Sequence, residues 1–465
     1  MTFTGNNPYS AYPRKERIKF TIQVKDDVTG TYVPKTAYLD MIQVRRIENP
    51  KGVWRSAGNS DNFHVTLMRL PYDDAEDFKP FNSEGAWSAT IVEGGDDFIT
   101  LRSTVEGSGS DNAQQTGVKS IEGAGEHPID FWIDFKGTIA ENSTPRCAIV
   151  RVRYHNYTCE HDIFVRQGYA PITINGNAES NNNPAWTSYN VYRFDANNAP
   201  VYTKSPLEEG SLFRRGNRTA ILASNNDRSG FTFGVEPTGS FNVLEFGSAT
   251  TSQKTWSQLA PSADDVKSRF ASWSIAGDHE RIATIEDFYT LESTSIHSNI
   301  NKAYGVLYGD GATETQKSVK EAFGYDHNED PTNSKKGMRG CFVFNINNSH
   351  NIFFPIGKSG YGRRKGMTSN GEKVGALRYA QRTDYYNNDG TGNIQYVPLF
   401  YDLFERPGAI YQCRNRLSST GNDVRKSSAF DINYFTMGFE GFENGASNNS
   451  DGSDSDACFI RTVKY

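Results

Sequence analysis

Eight histidines are scattered through the 465 residues. None falls in a His-Glu-x-x-His array that would hold zinc, and no serine sits in a Gly-x-Ser-x-Gly elbow that would expose a nucleophile. The five cysteines, Cys147, Cys159, Cys341, Cys413 and Cys458, include no Cys-x-x-Cys pair, so zinc is not expected. An odd count also makes no disulfide framework. They read as small buried apolar thiols, with a Cys413–Cys458 bridge as the alternative. The acid pairs Asp73-Asp74 and Asp96-Asp97 sit in polar turn contexts. Asp326, Asn328 and Asp330 have the opening spacing of a calcium loop. However, Pro331 stands where that loop needs glycine, and Gly337 where it needs a bidentate glutamate. Asp451, Asp454 and Asp456 lie in a Gly/Ser-rich stretch that reads as a solvated acidic turn. No catalytic residue, metal or cofactor is therefore expected, and the chain is read as a non-enzyme.

Recognition is the chemistry that the residues favour. Between Tyr411 and Asp456 the chain is dominated by Tyr, Asn, Ser, Asp, Gly and Arg, the palette of ligand-binding loops. Tyrosine brings rigid amphipathic area, while Asn, Ser and Gly adapt their hydrogen bonds. The candidate contacts are Tyr411, Arg414, Asn415, Arg416, Asn433, Tyr434, Phe435, Glu440, Asn444, Asn448, Asn449 and Asp451. Phe430 and Ile432 in the same stretch are expected in the core.

These residues need a frame, and the frame reads as β-structure. Aromatics make up 13% of the chain against 36% hydrophobic residues, a balance that suits strands with long polar connections. Residues 15–24 alternate apolar and polar, as a half-buried strand does. Residues 146–154 and 158–167 form a hairpin across His155-Asn156. Ala148, Val150, Val152 and Tyr154 share its core face, while Arg151 and Arg153 share the wet one. Thr284-Ile285-Glu286-Asp287 reads as a capping box opening a helix, with Ile285, Phe288 and Leu291, then Ile296 and Ile300, on its apolar face. Further strands are expected over 303–308, 340–345, 351–355, 375–379, 429–435 and 457–463. No free β-strand arm is evident.

The net charge of −6 and the lack of a dense basic run exclude nucleic acid as a partner. The clusters Arg214-Arg215 and Arg363-Arg364-Lys365 read as solvated rim charges. No stretch reaches the length of apolar residues that spans a bilayer. The opening residues carry no apolar signal region; the expectation is an extracellular, cell-surface protein whose targeting segment has been removed.

Trp87 in its strand, then Phe98-Ile99-Thr100-Leu101, then Phe131-Trp132-Ile133, then a terminal Val165-Arg166-Gln167, together resemble BACON-type immunoglobulin-like modules of Bacteroidetes surface proteins. Further on, Arg281-Ile282-Ala283-Thr284-Ile285-Glu286, Phe353-Phe354-Pro355 with Gly360-Tyr361 and Arg363, and Ile460-Arg461-Thr462-Val463-Lys464 resemble, in order, the motifs of the major paralogous domain of Fibrobacter and Bacteroidetes. That family is similar to the C-type-lectin and formylglycine-generating-enzyme fold. Ala283 departs from its proline and Thr462 from its cysteine. The resemblance implies an Ig-like β-sandwich followed by a mixed α/β lectin-like domain. The expected divisions are an N-terminal β region at 1–79, the sandwich at 80–171, a linker at 172–189 and the lectin-like domain at 190–465. The insertion around residues 52–62 stands outside the pattern. The lectin motifs Glu-Pro-Asn, Gln-Pro-Asp and Trp-Asn-Asp that bind sugar through calcium are missing, and no reactive cysteine pair matches the formylglycine-generating enzymes. Residues 411–457 also resemble the terminal segment of retroelement-diversified lectin-fold proteins. The implied function is that of a surface or pilus-tip-type adhesin, attached to a surface assembly and binding a protein or glycan on another cell. A phage virion receptor-binding protein is the second reading, and an enzyme of the formylglycine-generating type the third.

Overall fold

The computed structural model describes residues 14–43, 47–69, 79–80, 83–103, 115–125, 128–214, 217–222, 239–259, 279–291, 299–311, 337–355, 409–412, 428–433, 438–443 and 457–465. Strands dominate them, arranged in several sheets. The fold is β-rich. Among the described residues the helical content is the single turn Ser257–Leu259 and the short helix Ile285–Tyr289.

The largest sheet has eight strands, in the order Ser120–Gly123, Trp87–Gly94, Arg146–Tyr154, Cys159–Gln167, Gly52–Arg55, Ile300–Tyr308, Met338–Asn345 and Asn351–Pro355. A three-stranded sheet of Phe63–Thr66, Asp130–Phe135 and Ile99–Ser103 shares one apolar cluster with it, through Trp87, Val150, Val152, Phe131 and Ile133. The hairpin 146–167 has the expected core and wet faces near its turn, while further along Ile149 and Phe164, on the face expected to be wet, are buried in a second cluster. Val150, Val152 and Tyr154 are buried, and Arg151 and Arg153 reach across to Asp162 (2.8 Å) and Glu160 (2.9 Å).

The short strand Gly52–Arg55 is the seam of the eight-stranded sheet. It runs parallel to both neighbours, Cys159–Gln167 on one side and Ile300–Tyr308 on the other. All four of its residues are buried, as a strand covered on both faces requires. Gly52 is the residue the position demands, because a Cβ there would sit 2.4 Å from the Phe342 ring. Trp54 donates its indole N–H to Asn351 Oδ1 at 2.9 Å. Arg55 donates to the carbonyls of Asp61 (2.8 Å) and Gly309 (2.8 Å). A segment that the sequence pattern leaves as an insertion thus ties the first half of the chain to the second.

The stretch 172–189 contributes Ile172, Ile174, Ala185 and Trp186 to the interior. Ile172 and Trp186 exchange backbone hydrogen bonds, and the strand Ala185–Phe194 begins within the stretch. A helix does start at Thr284. The Thr284 hydroxyl accepts from the Asp287 amide, and the Asp287 carboxylate accepts from the Thr284 amide at 2.8 Å. It ends at Tyr289 rather than running on, and Ile300, expected on its apolar face, opens a strand instead.

Two further expectations are corrected. Arg214 is buried, not a rim charge: it donates to the Trp256 carbonyl at 2.6 Å and lies 4.4 Å over the indole ring. The strand 15–24 alternates as expected but is not half-buried, since Phe20 and Ile22 are 44% and 63% exposed. Among the described strands it pairs with Tyr32–Gln43 alone, in a separate two-stranded sheet. The expected strand at 375–379 and the cluster at 363–365 lie outside the described residues.

Candidate recognition surface

The closing strand Arg461–Lys464 lies between Ala185–Phe194 and Glu280–Ile282, antiparallel to both. Its Arg461 is wholly buried. The guanidinium donates to Asn190 Oδ1 (2.8 Å) and to the carbonyls of Thr187 (2.8 Å) and Phe353 (3.1 Å). It also lies 4.8 Å over the Phe354 ring and 5.9 Å over that of Tyr411. Burial pulls its pKa down from the ordinary value, against the opposing pull of Tyr411. Oriented carbonyl dipoles and aromatic faces replace the water this cation has lost.

Just before it, Ala457–Cys458 pairs with Ser211–Arg214. Phe459 bridges in parallel to Tyr411, in the strand Ala409–Gln412. The two ends of the candidate segment therefore leave the core side by side. Tyr411 is 0% exposed, its ring 5.4 Å from Phe354, 5.9 Å from Phe459 and 6.0 Å from Phe288. Asn190 Nδ2 donates to its hydroxyl at 3.2 Å. Burial raises the phenol pKa. Tyr411 is thus an interior residue and not a surface contact: its ring packs among Phe288, Phe354 and Phe459 and its hydroxyl accepts from Asn190.

Ala409–Gln412 opens a three-stranded antiparallel sheet with Ser428–Asn433 and Gly438–Glu443. Tyr411 pairs with Phe430, and Phe430 with Gly441; Ala409 pairs with Ile432, and Ile432 with Phe439. By this register positions 430 and 432 share the face of Tyr411, while positions 412, 431, 433 and 440 share the opposite face. Asn433 and Glu440 are thereby brought to one side, opposite Gly438 and Asp431 respectively. Arg414, Asn415, Arg416, Tyr434, Phe435, Asn444, Asn448, Asn449 and Asp451 lie outside the described residues. So do the acidic stretches at 326–330 and 451–456. Among the described residues no group of three or more His, Cys, Asp or Glu side chains gathers as a metal site. Cys147 and Cys341 are buried free thiols, and burial raises the pKa of Cys147, the opposite of what a nucleophilic thiolate needs.

Sequence reading missed a polar knot behind the closing strand. Tyr202 donates to Glu280 and lies 2.5 Å from the Thr462 hydroxyl, which itself donates to Glu280 Oε1 at 2.9 Å. The knot joins residues from three distant segments, and only the threonine at 462 hinted at it. Burial raises the Glu280 pKa, against the Thr462 hydrogen bond and Lys464. The folded state therefore holds this proton more tightly than the unfolded chain does. That contribution to stability is fully present below the unfolded value of about 4.3 and is lost as pH rises through the folded one. Glu280→Gln keeps the acceptor and removes the desolvated charge, so its urea midpoint is expected to gain on wild type as pH rises from about 4 to 7. Parallel profiles would show that Glu280 is not the titrating group.

No known protein family matches the chain, and no curated protein matches it either.

Proposed function

We propose that this chain is an extracellular, non-enzymatic recognition protein that binds a protein or glycan ligand through the residues between Gln412 and Ala457. The observation that carries the reading is the clamp at both ends of that segment. Tyr411 and Phe459 are bridged in the core, and Arg461 locks the closing strand immediately beyond. A segment rich in Tyr, Asn, Ser and Gly leaves and re-enters a rigid frame at one place, which is how scaffolds carry binding residues. The proposed contacts are Arg414, Asn415, Arg416, Tyr434, Phe435, Asn444, Asn448, Asn449 and Asp451, with Asn433 and Glu440 on the sheet face opposite Tyr411. An Ig-like module of BACON type ahead of a C-type-lectin-like domain, in an adhesin of a bacterial surface or pilus tip, is the identity we propose with it.

A glycan and cell-binding screen tests the reading, comparing wild type with Tyr434→Ala/Asn448→Ala/Asp451→Ala. Loss of at least about tenfold in affinity is expected, with an unchanged unfolding midpoint. Undiminished binding by the triple variant would sink the site.

A further inference from the structure

The hairpin formed by Arg14–Lys25 and Tyr32–Gln43 pairs with no other described strand. Its unbroken antiparallel register sorts its residues onto two faces. One face is mixed: Ile18, Phe20 and Ile22 share it with Leu39, but Lys35 stands opposite Ile22.

The other face carries a repeated pattern. Lys19 stands opposite Tyr38, and six residues further along Lys25 stands opposite Tyr32. At about 3.4 Å per residue the two lysine–tyrosine pairs lie roughly 20 Å apart. Arg17 adds a second cation to the first pair, its guanidinium 5.6 Å from the Tyr38 ring. Between the pairs stand Thr21 opposite Thr36, their hydroxyls 3.5 Å apart, and Gln23 opposite Pro34. Tyr32 and Tyr38 are 67% and 60% exposed, the two most exposed aromatic rings among the described residues. An exposed tyrosine offers rigid apolar area to a ligand at little entropic cost, while neighbouring hydroxyl and amide groups adapt their hydrogen bonds.

We propose that this face is a binding site for an acidic polysaccharide, separate from the segment between Gln412 and Ala457. The chain of sugars lies along the ribbon, its carboxylate or sulfate groups at the lysines and its rings against the tyrosines. Charge selects this occupant. Residues 14–43 hold six basic side chains against Glu16, Asp26, Asp27 and Asp40, a net +2, so the rest of the −6 chain carries −8. Asp26 is committed to the turn, where it accepts from the amides of Val28 (2.9 Å) and Thr29 (2.8 Å). By register this face holds Lys15, Arg17, Lys19 and Lys25 against Asp40. That leaves +3 along a ribbon of about 40 Å, or one net charge per roughly 13 Å. Duplex nucleic acid, with one charge per about 1.7 Å, is far denser than this row and is repelled by the acidic remainder of the chain. A polysaccharide with acids spaced along it matches the row, and its hydroxyls meet Thr21, Gln23 and Thr36. A neutral glycan would leave the cations unused.

Binding of the full chain to immobilised polygalacturonate and dextran sulfate, with dextran and duplex DNA beside them, tests the site. Wild type is expected to bind at least one acidic polysaccharide in the micromolar range at about 0.1 M salt, and more weakly as salt rises. The carboxylated and sulfated arms show which acid it takes. Lys19→Ala/Lys25→Ala should lower that affinity at least about tenfold. Arg14→Ala/Lys35→Ala, the same charge change on the opposite face, should lower it less than about threefold. Lys19→Arg/Lys25→Arg should bind as wild type does, which separates a lost charge from a loosened ribbon. Tyr32→Ala/Tyr38→Ala should lose about tenfold, whereas Tyr32→Phe/Tyr38→Phe keeps the rings and most of the affinity. A wild type that binds neither acidic polysaccharide overturns the proposal. So does dextran or duplex DNA bound as tightly, or equal losses from the alanine pairs on the two faces.

Discussion

Replacing Arg461 with alanine is expected to cost about 4 kcal/mol of folding stability, among the largest effects of any single substitution in this protein. The guanidinium is wholly buried and its partners are neutral: Asn190 Oδ1 and the carbonyls of Thr187 and Phe353. Truncation orphans all three acceptors where water cannot replace the lost donors, and each orphan costs about 1–3 kcal/mol less any relaxation. It also leaves a cavity between Phe354 and Tyr411, over whose rings the cation lies. Arg461→Met refills much of that volume but none of the hydrogen bonds, so about half of the loss should remain. Arg461→Lys should also fail to restore stability, because an ammonium cannot present the planar fork that meets three acceptors at once. Urea unfolding followed by tryptophan fluorescence measures the series. An alanine variant within about 1 kcal/mol of wild type would remove Arg461 as the clamp of the closing strand.

Tyr411→Ala is expected to cost about 3–5 kcal/mol and to abolish ligand binding along with it. Its ring fills the space between Phe288, Phe354 and Phe459, where the candidate segment leaves the core. Tyr411→Phe should behave quite differently. It removes only the hydroxyl, and Asn190 Nδ2 still has the Glu209 carbonyl at 2.6 Å; the expected cost is about 1 kcal/mol or less, with affinity retained. The pair separates support from contact. Were Tyr411 a ligand contact, alanine would lower affinity at unchanged stability, and paired unfolding and binding curves would show it.

Much of the local architecture was legible in the chain. The half of the hairpin 146–167 nearer its turn announces its two faces by alternation, Val150, Val152 and Tyr154 against Arg151 and Arg153. Thr284 and Asp287 announce their capping box by spacing alone. Both signals lie within a few residues of each other, and the physics that reads them, side-chain period and end-capping of amides, is equally short in range. The strand 351–355 is likewise visible as an apolar run ending at a proline.

What alternation cannot say is which partner covers a face. Residues 15–24 carry the pattern of a half-buried strand, and the pattern is right about the two faces of the ribbon but not about burial, because the cover is missing from the described chain. Tyr411 has the composition of a binding residue and the position of a core one. Its burial depends on Phe288, Phe354 and Phe459, which come from three other segments. Gly52–Arg55 carries almost no signal in four residues, yet it joins Cys159–Gln167 to Ile300–Tyr308 through parallel pairing across more than a hundred positions on each side. The sequence by itself determined the β-rich character, the strand faces and the closing strand that carries Arg461. Only the tertiary structure decided which side chains stand inside, because burial is set by residues brought together over long range.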